Sequence, residues 1–246
     1  MTMPPFESIL GSKVDVLTPT GLLDAIRRDI DDHRCVRIVA INPEKIITCR
    51  NDRTYQALLN GFEYKIPDGI GILLASKLHG GQIKERITGI DTMLALCDLA
   101  HHQHYRHFLY GSKPEVLALA KNQLETQYPG LKIVGTMDGY QSDQDKILST
   151  INQAKPDLVF VALGSPKQEH WISKVQNDVS ASVLMGVGGS FDVISQQKER
   201  APEGFRRLGL EWFYRLLKEP SRLFRQTKLL TFSCLVLTRC GKRYSV

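Results

Sequence analysis

Six short apolar runs constrain this chain more than any other feature. They are CVRIVAI (35–41), FEYKI (62–66), HFLYG (107–111), LKIVG (131–135), DLVFVALG (157–164) and SVLMGVGG (182–189). Helix-like stretches lie between them. In GLLDAIRRDI, for instance, Leu22, Ile26 and Ile30 recur every four residues, as on one helix face. Strands alternating with helices imply βαβ units, hence an α/β fold with a mostly parallel sheet and helices on both faces. The runs are nearly continuous in apolar character, as expected of strands buried on both sides. In such sheets ligands bind beyond the carboxyl ends of the strands. The residues there are Asn42, Asp68, Gly111-Ser112, Gly164-Ser165 and Gly188-Gly189-Ser190.

The pattern stops near residue 198. From there RAPEGFRRLGLEWFYRLLKEPSRLFRQTKLL reads as two or three helices punctuated by Pro202 and Pro220. We therefore divide the chain into 1–197, a catalytic or binding domain, and 198–246, a helical appendage. Charge divides the same way. Residues 198–246 hold 12 Lys/Arg against 4 Asp/Glu, a net +8, and the first 197 residues carry a net −2. Such asymmetry points to an anionic partner for the tail: a membrane surface, phosphate or nucleic acid. Trp212, Phe213, Phe224, Leu229, Leu230 and Phe232 interleave with the cations, which suits a helix lying on an anionic bilayer across about residues 205–240. An ordinary basic helix face packed on the core is the competing reading. No recognised nucleic-acid motif accompanies the charge, so no nucleic acid is expected. Arg215, Arg222 and Arg225 fall within about 80° on a continuous helical wheel, although Pro220 can break that helix. The amino-terminal MTMPPFESIL lacks a basic start followed by an apolar run, so no secretory leader is expected. The five cysteines (Cys35, Cys49, Cys97, Cys234, Cys240) form no CxxC pair and read as reduced thiols of a cytoplasmic protein.

Within the strand-end strings, GVGGS (186–190) lacks the full dinucleotide-binding spacing and reads as a tight turn or a phosphate contact. In GSPKQEHW (164–171), Lys167 sits at a helix start, where the dipole disfavours a cation; an anionic ligand would offset that, and so would solvent. Asp68 in KIPDGIGILL is either a helix cap or a carboxylate able to take a proton from an attacking hydroxyl. In KERITGID (84–91), Thr88 suits a helix cap, and Arg86 just outside is free to reach an anion. HHQHYRH (101–107) lacks interleaved carboxylates and reads as a polar helix end. The pairs Asp29/Asp31 and Asp143/Asp145 follow no strand, so no metal is expected.

Taken in order, INPEK, PDGIGILLASK, ERITGID, GSKPE, DGY, ALGSPKQE, GVGGSFDV and RAPEGFRRLGLEWFYRLLKEPSR resemble the WecG/TagA/CpsF family of bacterial glycosyltransferases, over about residues 8–228. The resemblance implies a Rossmann-like fold and an inverting transferase without metal or other cofactor. It implies a UDP-sugar donor and an undecaprenyl-diphosphate-linked N-acetylglucosamine acceptor, met at the inner face of the cytoplasmic membrane. Carried over by motif, Asp68 is the general base, and Arg86 and Gln168 contact donor or acceptor. Asn42 takes the place of a pocket residue, and Tyr140 and Asp192 contact the nucleoside. Arg215, Arg222 and Arg225 meet diphosphate. LGLEWFYRLLKEPSR is similar to the enterobacterial-common-antigen branch, which implies N-acetylmannosaminuronate, or else the neutral N-acetylmannosamine, as donor sugar, with Lys167 or Arg86 near the uronate's carboxylate. Some members carry threonine two residues before NPE; here that position is Ala40, so that hydroxyl is absent.

Overall fold

The computed structural model describes residues 4–238, with only the backbone of residues 222 and 224–226. In chain order the elements are β1 (Phe6–Ile9), β2 (Ser12–Asp15), α1 (Pro19–Asp31), β3 (Val36–Ile41), α2 (Pro43–Asn51), α3 (Arg53–Asn60) and β4 (Tyr64–Pro67). There follow α4 (Ile70–Leu78), α5 (Gly89–Gln103), β5 (Arg106–Gly111), α6 (Pro114–Gln127), β6 (Lys132–Met137), α7 (Gln144–Ala154) and β7 (Leu158–Ala162). Then come α8 (Lys167–Val175), β8 (Val183–Gly186), α9 (Ser190–Ile194), α10 (Glu203–Arg207), α11 (Glu211–Lys218), a 3-10 turn (Pro220–Arg222) and α12 (Leu223–Thr238).

The six apolar runs form one six-stranded sheet in the order β4-β3-β8-β7-β5-β6. Every neighbouring pair in it is parallel, so all six carboxyl ends lie at one edge. Side chains alternate across it. Val39, Ile41, Val159 and Val161 face a core shared with α2, α3, α8 and α12. Val36, Ile38, Leu158 and Phe160 face a second core shared with α1, α5, α6 and α9. That two-sided burial is why the strands lack polar alternation. The antiparallel hairpin of β1 and β2 was not expected from the sequence. Its strands are four residues each, and its turn depends on Leu10 and Gly11 both taking positive φ (51° and 91°).

The carboxy-terminal residues are helical, as expected, but Arg215, Arg222 and Arg225 do not share one helix. They fall on α11, the 3-10 turn and α12, because the chain turns at Glu219-Pro220. The last helix packs firmly on the body. Phe232 and Val236 of α12 are buried in the same core as Ile46 and Ile47 of α2. Gly71 permits this approach: a Cβ there would stand 2.7 Å from Pro43 Cγ and 3.5 Å from Phe232.

Candidate active site

The carboxyl edge of the sheet holds two neighbouring features. The first is a cavity of about 600 Å³ beyond β5, β6, β7 and β8, within the size range of small-molecule sites. Ser112, Tyr140, Gly164, Lys167, Gly188 and Asp192 all line it, together with Gln141, Gln144 and Trp171. Tyr140 is largely exposed, and Trp171 is held by its indole N–H donating to Gln144 at 3.0 Å. Gly111 is not among the lining residues. It lies behind the wall at φ 109°, where a Cβ would come within 2.5 Å of the Ala162 carbonyl oxygen. Gln144 and Trp171 were missed in the sequence. Trp171 lies four residues after Lys167, one helical turn along α8, and that spacing is the signal that could have found it.

The second feature surrounds Asp68. Its backbone N–H extends the β3–β4 ladder by donating to the Ile41 carbonyl at 2.8 Å. The cap reading of this carboxylate fails. Gly69, at φ 94°, occupies the N-cap of α4, and no side-chain cap bond is made. The half-buried Asp68 carboxylate makes no side-chain hydrogen bond among the described residues. Burial pushes it up to about 6; Arg215 opposes this most strongly, Glu211 reinforces it, and Arg86 and Lys45 pull down.

Arg86 is not free, as the sequence suggested. Its Nη2 donates to Glu211 Oε1 at 2.8 Å and to the Arg206 carbonyl at 3.2 Å. Arg215 Nη2 approaches the other oxygen of Glu211 at 3.9 Å. Thr88 caps α5 as expected, accepting from the Asp91 N–H at 3.1 Å. The side chains of Arg222 and Arg225 lie outside the described residues.

Between the two features runs a buried polar chain. Glu169, fully enclosed, pairs with Lys45 at 2.8 Å. Burial alone would raise the Glu169 carboxyl, but Lys45 and hydrogen bonds from Gln168 and Ser165 hold it below the usual carboxylate range. Tyr55 reaches Ser165 at 3.0 Å and Glu169 at 3.3 Å. Gln168 spends its amide within the protein: Nε2 donates to Glu169 at 3.0 Å, and Oε1 accepts the Gly188 N–H at 3.0 Å. Gln168 therefore ties strand ends together and is buried, and its neighbour Lys167 is the residue that faces the cavity. Asn42 is likewise a cap, accepting the Lys45 N–H at 2.9 Å. Lys45, Glu169 and Glu211 were not read from the sequence as site residues, because each takes that part through a partner far away in the chain.

Asp29 is buried and accepts from the Tyr64 hydroxyl, and Asp143 caps α7. Among the described residues no group of three or more His, Cys, Asp or Glu is placed to hold a metal ion. No described helix is long and apolar enough to cross a membrane.

A parallel-sheet edge with a cavity over one half and a carboxylate among arginines over the other suits transfer between an anionic donor and a second substrate. The chain is 36% identical over 219 residues to the N-acetylglucosaminyldiphosphoundecaprenol N-acetyl-beta-D-mannosaminyltransferase of Bacillus subtilis, covering 89% of this chain and 86% of that one. The enzyme of the same name from Bacillus spizizenii is 38% identical over 208 residues, 85% and 81% of the two chains. That from Staphylococcus aureus is 36% identical over 188 residues, 76% and 74%. The family described as glycosyl transferase WecG/TagA/CpsF matches residues 7–245, and the chain belongs to this family of glycosyltransferases.

Proposed function

We propose that this enzyme transfers an N-acetylmannosamine-type sugar from a UDP-sugar to undecaprenyl-diphosphate-linked N-acetylglucosamine, with inversion at the sugar C1. The observation that carries the reading is Asp68: a carboxylate free of any cap bond, at the sheet edge, in the field of Arg215, Arg86 and Lys45. The nucleotide occupies the cavity, with Tyr140 and Asp192 at the nucleoside and Lys167, Ser112, Gly164 and Gly188 toward the phosphates. Strands β7, β8, β3 and β4 are successive neighbours, so the ends of β7 and β4 lie roughly 14 Å apart. That span suits a donor with its uridine over β5–β7 and its sugar near Asp68.

Asp68 takes the proton of the acceptor hydroxyl as its oxygen bonds to C1. The bond from C1 to the diphosphate oxygen breaks on the opposite face, and UDP leaves with the electron pair. Charge then gathers on the diphosphate. Arg86, Arg215 and, from the turn and helix that follow, Arg222 and Arg225 stabilise it, a role that needs no metal. Gln168, Lys45 and Glu169 keep the strand ends in register.

The helices beyond about residue 198 serve as the membrane-associating part. Trp212, Phe213 and Leu217 of α11 are exposed, in a segment rich in cations. This would hold the enzyme peripherally on the inner face of the cytoplasmic membrane, beside its lipid-linked acceptor. The names of the relatives favour the neutral N-acetylmannosaminyl donor over its uronate. Lys167 in the cavity keeps the uronate open as a second reading, because a donor carboxylate would find a cation there.

The test is a transfer assay with a panel of UDP-sugars and a short-chain lipid-diphosphate N-acetylglucosamine. Product from UDP-N-acetylmannosamine supports the reading. Product only from the uronate shifts the donor. No product from either, with lipid acceptor and anionic vesicles present, overturns it.

A further inference from the structure

Glu211 is the one acidic side chain among the described charged groups that act most strongly on Asp68, and nothing in the proposed chemistry uses it. It lies in the first turn of α11 and reaches back to the body of the protein, where its carboxylate meets Arg86 at 2.8 Å and Arg215 at 3.9 Å. Both polar contacts of Arg86 go through a single nitrogen, Nη2: one to Glu211 and one to the Arg206 carbonyl. Its Nη1 and Nε have no partner among the described residues. Arg86 is thus clamped at one corner, through Nη2, by the carboxy-terminal helices. Glu211 and Arg86 are both largely enclosed, with side chains 13% and 19% exposed, so solvent screens this pair only in part.

We propose that Glu211 is a positioning residue for the transfer reaction: it orients Arg86 and Arg215 for the leaving diphosphate and offsets part of their positive charge beside Asp68. The inference rests on the functional reading above. Two demands on the site conflict. Stabilising a leaving diphosphate calls for cations, but cations next to the general base lower its affinity for the proton it must accept. The groups that face Asp68 are Arg215 and Glu211 on α11, Arg86 on the loop before α5, and Lys45 on α2. Of these strongest contributors among the described residues three are cations, and Glu211 offsets them. Because Glu211 arrives with α11, the same contact makes site assembly depend on seating the carboxy-terminal helices.

Glu211→Gln keeps the shape and removes the charge, and Glu211→Asp keeps the charge. Two measurements on the full-length variants decide the matter, with thermal melts to verify folding. First, the Asp68 carboxyl is titrated by NMR with carbon-labelled aspartate, its resonance assigned by loss in Asp68→Asn. The midpoint is expected to fall in Glu211→Gln by half a pH unit or more and to stay near wild type in Glu211→Asp. Second, transfer kinetics are expected to show kcat down about tenfold or more in Glu211→Gln with KM for the donor changed less than threefold. The acidic limb of kcat/KM should move to lower pH, and Glu211→Asp should recover most of the rate. An unmoved midpoint overturns the inference, whatever the activity. A moved midpoint with unchanged kcat overturns the catalytic role. If Glu211→Gln does not fold, the same comparison is made between wild type and Glu211→Ser, which also removes the charge, and a wild-type pH limb and kcat there overturn it. Inactivity of the wild type toward every donor is a separate outcome that counts against the functional reading, and the titration still decides the effect of Glu211 on Asp68.

Discussion

The Lys45 ammonium and the Glu169 carboxylate stand 2.8 Å apart, with Glu169 wholly shielded from solvent. Lys45 enters from the first turn of α2 and Glu169 from the first turn of α8, so this single pair fixes the loops that follow β3 and β7 relative to each other. Through Gln168 the same contact reaches Gly188 after β8.

Breaking one side of such a pair leaves a charge buried without its partner, which costs about 3–5 kcal/mol. Lys45→Met should therefore lower stability by that amount in denaturant unfolding. Lys45→Met with Glu169→Leu should recover a good part of it, because no bare charge remains. Additive losses in the double variant would show that the two do not act as a pair.

Asp68→Asn should fold normally and lose turnover by about 10²–10⁴-fold. The wild-type pH profile supplies the sign. Burial holds the Asp68 carboxyl up to about 6, so the base is ionised above that pH, and kcat/KM should fall as pH drops below it. Turnover close to wild type in the folded variant would remove Asp68 from the chemistry.

Gly186 lies under Gln168, where a Cβ would come within 2.6 Å of Nε2. Gly186→Ala should push the amide off the Gly188 N–H and loosen the cavity floor. The expected result is a rise in KM for the donor greater than the fall in kcat, measured by initial rates. A fall in kcat with KM unchanged would place Gln168 in the chemical step.

His107 is buried in β5 with no well-formed hydrogen bond to either ring nitrogen, and burial, opposed only by the backbone of Tyr105, lowers its pKa to about 4. A group whose folded pKa lies below its unfolded value of about 6.5 costs stability as pH falls between the two. The stability of His107→Phe relative to wild type should thus rise by on the order of 3 kcal/mol between pH 6.5 and 4. A difference independent of pH would mean that a water or backbone group satisfies the charged ring.

Deleting the carboxy-terminal helices is a poor test of membrane contact, because Phe232 and Val236 of α12 belong to the core. Point changes on α11 are cleaner. Trp212→Glu with Leu217→Glu, both at exposed positions, should abolish flotation with anionic vesicles and leave the melting temperature within a few degrees. Retained flotation would move the membrane contact to another surface.

The strands and their edge were legible in the sequence because burial on both faces leaves a local trace, a short run of uninterrupted apolar residues. Helix starts at Thr88 and Pro114 were legible for the same reason, since caps act within three or four residues. The hairpin at residues 6–15 was not, because four-residue strands carry too little pattern to separate from a loop. The cavity residues at strand ends could be named from position alone. Gln168 and Asn42 could be named too, but their work as a loop tie and a helix cap could not, since a polar side chain at a strand end can turn toward ligand or toward backbone.

By itself, then, the sequence determined the α/β alternation, the sheet edge where chemistry belongs, the basic helical carboxy-terminal segment and, through the order of its motifs, the family. Only the tertiary structure decided which way the polar side chains turn. It set β8 between β3 and β7, clamped Arg86 with a glutamate 125 residues further along, and left Asp68 uncapped beside it. The physical reason is range. Apolar period and capping are settled within a turn or two of chain, whereas a carboxylate's partners and proton affinity depend on charges brought together only when distant segments close on one another.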